Sequence, residues 1–229
     1  MPDGWAAPPV PAFRTVSGTL VRLERLDPAA HAAGLYAPED MGKSSPSWTY
    51  MAYGPFGSLA EYEAWVETAS AKSDPQFFAI IGQESGRPLG VCSYLRIDPA
   101  AGSIEIGHIW MSARLQRTAM ATEAMYLMMR EAFALGYRRY EWKCDALNAP
   151  SQRAAARLGF VYEGTFRQAT HYKGRNRDTA WYAVTDADWP LCRDALEAWM
   201  APENFDAQGR QRQPLDAIRA GLARRETTE

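Results

Sequence analysis

The stretch that most constrains this chain is Glu105–Thr122, EIGHIWMSARLQRTAMAT. Its first half alternates like a strand. Ile104, Ile106, His108 and Trp110 are expected on one face, and Glu105, Gly107, Ile109 and Met111 on the other. A short polar loop with Arg114, Gln116 and Arg117 follows. Ala121, Met125, Met128, Ala132 and Leu135 then recur at helical spacing, with Glu123, Arg130 and Glu131 off that stripe and Gly136 as the closing residue. A strand that passes into a helix through a basic loop outlines an anion site. First-turn N–H groups lack a helical acceptor, and the helix dipole adds positive potential. The loop is therefore a candidate pyrophosphate cradle, with Gln116 able to donate its amide. It lacks the usual glycines, so a plain basic connection fits these residues equally well.

The elements on either side predict a mixed α/β domain. A Pro-rich arm over residues 1–17 leads into a strand at Thr19–Arg25. Asp27-Pro28 opens a helix to about Tyr36, and Ser58 with Glu61 opens another to about Ala71. Between them, Met41–Gly57 is irregular and carries Trp48, Tyr50, Tyr53 and Phe56, as cover for a site or as a subunit contact. Phe77–Gly82 and Leu89–Ile97 form a hairpin, and the organising strand pairs next to it. Arg138–Cys144 is then a strand reached by a parallel crossover. A helix over Asn148–Leu158, capped by Asn148 or Ser151, precedes a strand from Phe160. Arg167–Asp178 reads as a basic turn, Thr179–Val184 as the last strand, and Asp186–Trp199 as a helix. A polar tail follows, with a short helix at Leu215–Leu222. The expected division is an arm at 1–17, a domain at 18–190 and a helical extension with tail at 191–229.

With 25 basic and 27 acidic residues the formal charge is −2, which argues against nucleic acid as a direct partner. The N-terminus has neither a basic nor an apolar signal region, and no apolar run reaches membrane-spanning length. A cytoplasmic protein with no membrane partner is expected. Cys92, Cys144 and Cys192 have no metal spacing, so no metal and no disulfide framework is expected.

Two segments carry a family resemblance: Gln116-Arg117-Thr118-Ala119-Met120-Ala121, and Asn148-Ala149-Pro150-Ser151 through Arg157-Leu158-Gly159-Phe160. They resemble the pyrophosphate loop (Q/R-x-x-G-x-G/A) and the second half (N-x-x-S…L-G-F) of the GNAT superfamily of N-acetyltransferases. Over roughly Thr15–Trp189 the chain is similar to the RimJ/RimL branch, which acetylates amino termini and small amines. Ala119 stands where a glycine is usual, and its methyl would crowd the loop if that residue needed positive φ.

The resemblance implies the GNAT fold: a central, mixed, mostly antiparallel sheet, splayed at the cofactor site, with helices on both faces. It implies acetyl-CoA as cofactor, with CoA as product, and a small-molecule or peptide amine as acceptor. Ile109, Trp110 and Met111 would pair with the pantetheine arm, and Gln116, Arg117, Thr118, Ala119, Met120, Ala121 and Thr122 would cradle the diphosphate. Asn148 would bond the cofactor arm, Glu105 would be the general base, and Ser151 would protonate the leaving thiolate. Structural readings stand beside these: an ion pair for Glu105, capping for Asn148 and Ser151, and core packing for His108. Trp142, Asp145, Tyr172 and Trp181 are candidates for the acceptor pocket or for plain packing. Lys173, Arg175 and Arg177 form a solvated loop or meet an anionic acceptor. A non-catalytic acyl-CoA sensor, a transferase of another acyl group and a homodimer also fit.

Overall fold

The computed structural model describes residues 5–42 and 45–226. The outer ends of the predicted arm and tail, and two residues of the aromatic loop, lie outside that range.

Eight strands form one sheet: β1 (Val16–Ser17), β2 (Val21–Arg25), β3 (Gln76–Gly82), β4 (Pro88–Asp98), β5 (Ser103–Met111), β6 (Arg139–Asp145), β7 (Val161–Tyr172) and β8 (Arg175–Thr185). Their order is β1-β2-β3-β4-β5-β6-β8-β7. All neighbours are antiparallel except β5 and β6. The helical elements are a π-helical turn at Pro28–Ala32 leading into α1 (Ala33–Leu35), then α2 (Pro38–Met41), α3 (Leu59–Ser70), α4 (Ala119–Ala134), α5 (Ala149–Leu158), α6 (Trp189–Met200) and α7 (Leu215–Glu226). The expected helix starts are present. Asp27 accepts from the Ala30 amide, and Ser58 Oγ from that of Glu61. The expected basic turn at Arg167–Asp178 is instead the end of a long β7–β8 hairpin, whose tip is Lys173-Gly174 with φ of 48° and 75°. Strand pairing continues because only these two residues need the turn conformation.

Two apolar cores cover opposite faces of the sheet. On one, α4, α5, α6 and Leu215 of α7 pack against Ile104, Ile106, Tyr140, Trp142 and Tyr182. On the other, Tyr62 and Val66 of α3, with Trp48 and Phe56 of the aromatic loop, cover Phe77, Ala79, Ile81, Val91 and Trp110. The strand residues of this second core come from β3, β4 and β5 only, so among the described residues the β6–β8 half of that face carries no apolar core.

Two irregularities shape the centre. The parallel register of β5 and β6 runs only from Ser103–Arg139 to Ile106–Trp142. Beyond it β5 stays with β4 as far as Met111, and β6 stays with β8 as far as Asp145. The sheet therefore splays. Next, Val91 pairs with Trp110 but Ser93 with Gly107, so Cys92 alone opposes His108 and Ile109. This is a β-bulge, with His108 at φ 50°. The extra residue reverses the alternation. Ile109 and Met111 join the face of Ile104 and Ile106, while Trp110 and His108 turn to the face of Glu105. The strict alternation expected from the sequence fails at that bulge.

Glu123, expected off the apolar stripe, is buried. Its carboxylate accepts the Thr19, Leu20 and Val21 amides at 2.8, 2.7 and 2.7 Å, which fastens the start of β2 to α4. Water is replaced by three backbone donors. Gly18 is required beside it, since a Cβ there would stand 2.6 Å from the Glu123 carboxyl carbon. Glu123→Ala orphans three donors at about 1–3 kcal/mol each, so urea unfolding should register a loss of at least about 3 kcal/mol. A loss below about 1 kcal/mol would mean that water reaches those amides.

Candidate active site

The cradle is built by its own short-range bonds. Leu115 and Gln116 donate their amides to Ser112 O at 3.0 Å each, and the Leu115 side chain is fully buried as an anchor. Arg117 takes the left-handed conformation, φ 61°. Thr118 caps α4, its Oγ1 accepting from the Ala121 amide at 3.3 Å. Ala119 is then the first helical residue and has no positive φ. The methyl in place of glycine therefore costs no backbone strain, because the turn falls on Arg117 instead. The Ala119 and Met120 amides face outward without a helical acceptor. Gln116 Nε2 donates to Met111 O at 2.8 Å, so this amide braces the loop against the end of β5. Thr122 Oγ1 accepts from Arg157 Nη1 at 3.1 Å, which ties α4 to α5.

This half fits a ligand with an amide-bearing arm and a diphosphate. Past Ile106, the β5 edge on the side of β6 carries unpaired backbone groups. Ile109 and Met111 point toward the α4 core, and Ser112 Oγ at the foot of the cradle is buried without a partner. Across the splay, Asn148 caps α5, its Oδ1 accepting from the Ser151 amide at 3.2 Å. Ser151 is not a cap. Its Oγ accepts from Trp142 Nε1 at 3.0 Å and lies within hydrogen-bonding reach of the Cys144 sulfur; since an indole N–H is only a donor, the serine O–H remains a donor there. Trp142 packs on Phe160 within the α4 face, away from the other proposed acceptor residues. The three cysteines are buried free thiols. Burial pushes Cys92 up to about 12 and raises Cys144 and Cys192, so none presents a thiolate nucleophile.

The opposite side of the splay holds ionisable groups. Glu105, 3% exposed, pairs through Oε2 with Arg96 Nη1 at 2.5 Å and Lys143 Nζ at 3.0 Å. Burial raises its pKa above the usual carboxylate value, while Lys143 and then Arg96 pull it down. Oε1 accepts no hydrogen bond among the described residues. It lies 3.7 Å from where a Cβ on Gly107 would stand, so the glycine keeps its approach open. His108 shares this face because of the bulge. Its ring lies 5.5 Å from that of Tyr53 and 5.0 Å from that of Phe77. Burial, then Arg96 and Lys72, push its pKa down to about 4, with Asp74 opposing, so the ring is neutral at neutral pH.

The basic residues of the hairpin tip strap the aromatic loop. Lys173 Nζ donates to Trp48 O at 2.6 Å and to Tyr53 O at 3.4 Å. Arg175 reaches Thr49 O and Asp145 Oδ2, each at 3.3 Å, and Tyr50 Oη donates to Leu147 O at 2.9 Å. Tyr172 Oη donates to buried Asp145 at 2.7 Å. Lys173 and Arg175, expected to be solvated or to meet an anion, thus hold a roof over the site, and Asp145 and Tyr172 serve the same strap. Trp181 lies beneath Lys143, whose Nζ is 3.5 Å from its ring centroid. Sequence reasoning missed Arg96 and Lys143. Their signal is alternation, Glu141-x-Lys143 on one strand beside Glu105 on the next, and it acquires meaning only with the strand register. No cluster of metal-ligating residues and no helix long and apolar enough to cross a membrane occurs among the described residues.

Two outcomes follow. Ala119→Gly should leave the Kd for acetyl-CoA within twofold by calorimetry and lower stability by up to about 1 kcal/mol; tighter binding would mean that the methyl does crowd the ligand. His108 is depressed in the fold, so the stability it contributes is present above about pH 6.5 and lost as the pH falls toward about 4. Between pH 7 and 4.5, urea unfolding should show the wild type losing roughly 2 kcal/mol more than His108→Phe, and equal losses would contradict the depressed value.

Comparison with known proteins agrees with this geometry. Residues 20–161 match the acetyltransferase (GNAT) domain. The crystal structure of a GCN5-related N-acetyltransferase from Brucella melitensis is similar over 95% of this chain and 99% of that one, with 44% identity and a TM-score of 0.92. A probable GNAT acetyltransferase from Chromobacterium violaceum is 38% identical, with a TM-score of 0.77, over 83% of this chain and 95% of that one. The ribosomal-protein-serine acetyltransferase of Escherichia coli (strain K12) is 31% identical over 96 residues, which span 42% of this chain and 53% of that relative. The chain belongs to the GNAT acetyltransferase family, with the splayed sheet and helix-end cradle described above.

Proposed function

We propose that this protein transfers an acetyl group from acetyl-CoA to a primary amine by direct attack, with Glu105 as base and Ser151 as proton donor to sulfur. The acceptor classes are a protein N-terminus, an amino acid, an aminoacyl-nucleotide or another small amine. The observation that carries the reading is the placement of a buried carboxylate with one free oxygen beside the end of the β5–β6 pairing.

The amides of Ala119 and Met120, with Arg117 and the cap of Thr118, would hold the diphosphate. The free edge of β5 from Ile109 to Met111, with Asn148 opposite, would hold the arm. Bound acetyl-CoA supplies an activated thioester, so the chain needs no nucleophile of its own, in keeping with its raised thiols. What the residues must do is manage one proton at each end. Glu105 Oε1, through a water molecule, takes the proton that the amine nitrogen gives up. Ser151 Oγ, held by Trp142, gives its proton to the departing sulfur and regains one from solvent. Neutral His108, the Tyr53 ring and the strapped loop form an apolar wall that favours the uncharged amine over the ammonium ion.

Glu105→Gln should lower kcat at least about 100-fold in an amine-acetylation assay, with the Kd for acetyl-CoA kept within twofold by calorimetry. Undiminished kcat would remove Glu105 from the chemistry.

A further inference from the structure

Lys143 is buried in the acceptor face, its side chain 5% exposed. A buried ammonium needs partners, and the sheet register provides three. In the parallel β5–β6 pair Glu105 stands opposite Glu141, and Lys143 is two residues further on the same face. In the antiparallel β6–β8 pair Lys143 stands opposite Trp181. Its Nζ is therefore 3.0 Å from Glu105 Oε2, 2.7 Å from Glu141 Oε2 and 3.5 Å from the centre of the Trp181 ring. Glu141 is itself held by Arg139 at 2.7 Å, and Arg139 also pairs with Glu163 on β7. The chain of alternating charges thus runs from Glu163 on β7, across β8, through Arg139, Glu141 and Lys143 on β6 to Glu105 on β5. Arg96, the other cation on Glu105, is 61% exposed, so water screens its pull far more than that of Lys143.

We propose that Lys143 is the positioning residue of the transfer reaction: backed by Glu141 and Trp181, it pins Glu105 by one oxygen and leaves the other facing the acceptor cleft. The proposal rests on Glu105 being the base. Lys143 does not touch the acceptor. Two carboxylates and an indole face surround its ammonium, which fixes its place. Its effect on the reaction passes through Glu105, by orientation and by charge. The charged groups that face Glu105 are Arg96 from β4 and Lys143 and Glu141 from β6, with neutral His108 on β5 itself. Lys72 and Asp74, from the connection before β3, act on the His108 ring, and Asp74 accepts the Arg96 and Ile97 amides at 3.1 Å each.

The test reads Glu105 directly in the ligand-free protein. Side-chain carboxyl carbons are labelled with 13C, the Glu105 signal is assigned by its loss in Glu105→Gln, and its titration is followed by NMR. Lys143→Met removes the buried, least screened positive charge beside Glu105 and should raise the midpoint by about one pH unit or more. Glu141→Gln removes a negative charge and frees Lys143 for Glu105 alone, so it should lower the midpoint. Lys143→Arg keeps the charge and should return the midpoint close to that of the wild type. If Lys143→Met does not fold, Lys143→Met with Glu141→Gln preserves the net charge and still loses the buried cation, so its midpoint should rise by a smaller amount. With acceptor and acetyl-CoA present, the acid limb of log kcat/KM should move with the midpoint, and kcat of Lys143→Met should fall at least tenfold with KM for acetyl-CoA unchanged. An unmoved midpoint in the lysine variant, or a shift of the same sign in both single variants, overturns the proposal. A moved midpoint with an unmoved acid limb overturns it too, and shows that Lys143 supports only the fold. Full kcat in Glu105→Gln would instead bring down the reading of Glu105 as base, which is a separate result.

Discussion

Everything at this site depends on where β5 and β6 stop being hydrogen-bonded. Four residue pairs join them, the last being Ile106 with Trp142. Past that point each strand keeps its outer neighbour and loses the inner one. A sheet interior cannot tolerate unpaired backbone groups, so the gap has to be filled by a ligand or by water. Because β5 and β6 are parallel, α4 and α5, which follow their C-terminal ends, both start on that side of the gap, one from each strand. A groove edged by free amides and closed by helix N-termini suits a long anionic ligand with an amide-bearing arm, because both electrostatics and hydrogen bonding act in the same direction there.

The bulge at His108 and Ile109 then decides which side chains face which half of the site. Without it, His108 would sit under α4 and the face of Glu105 would lose its apolar wall. With it, the apolar Ile109 and Met111 turn toward the α4 core, and His108 turns to the Tyr53 and Phe77 rings. One extra residue thus turns Ile109 and Met111 to the α4 side and His108 and Trp110 to the side of Glu105. Its cost is a left-handed, non-glycine residue, of order 1 kcal/mol, offset by the packing of the imidazole between two rings.

How much of this was legible in the sequence follows from how local each feature is. The α4 stripe, the Asp27 and Ser58 caps, the β3–β4 hairpin and the Asn148 cap are set by residues within a few positions of one another, and the sequence carried them. The cradle was legible in outline, and the harmlessness of Ala119 was not, because it turns on a single dihedral angle at Arg117. The burial of Glu123 was hidden because its partners are amides more than a hundred residues away. The straps from Lys173 and Arg175 were hidden for the same reason. A basic run beside a turn looks solvated until a carbonyl-rich loop from the other end of the chain is laid over it. The face of His108 was misread because a bulge leaves no mark in the alternation of a single chain.

The charged residues opposite α4 are hard to explain by stability alone. Three ionised groups with side chains 4%, 5% and 12% exposed are a poor way to hold a sheet face, since burying ions costs solvation that apolar side chains would not lose. The other half of the same face shows what the fold does when only packing matters: Phe77, Ala79, Ile81 and Val91 under α3 and the aromatic loop. The polar half begins where the β5–β6 pairing is about to end, and it extends away from the cradle toward β7. Charge is therefore concentrated on the side of the splay where the proposed reaction takes a proton from the amine, and the ladder of ion pairs behind Glu105 offsets the cost of burying a carboxylate there.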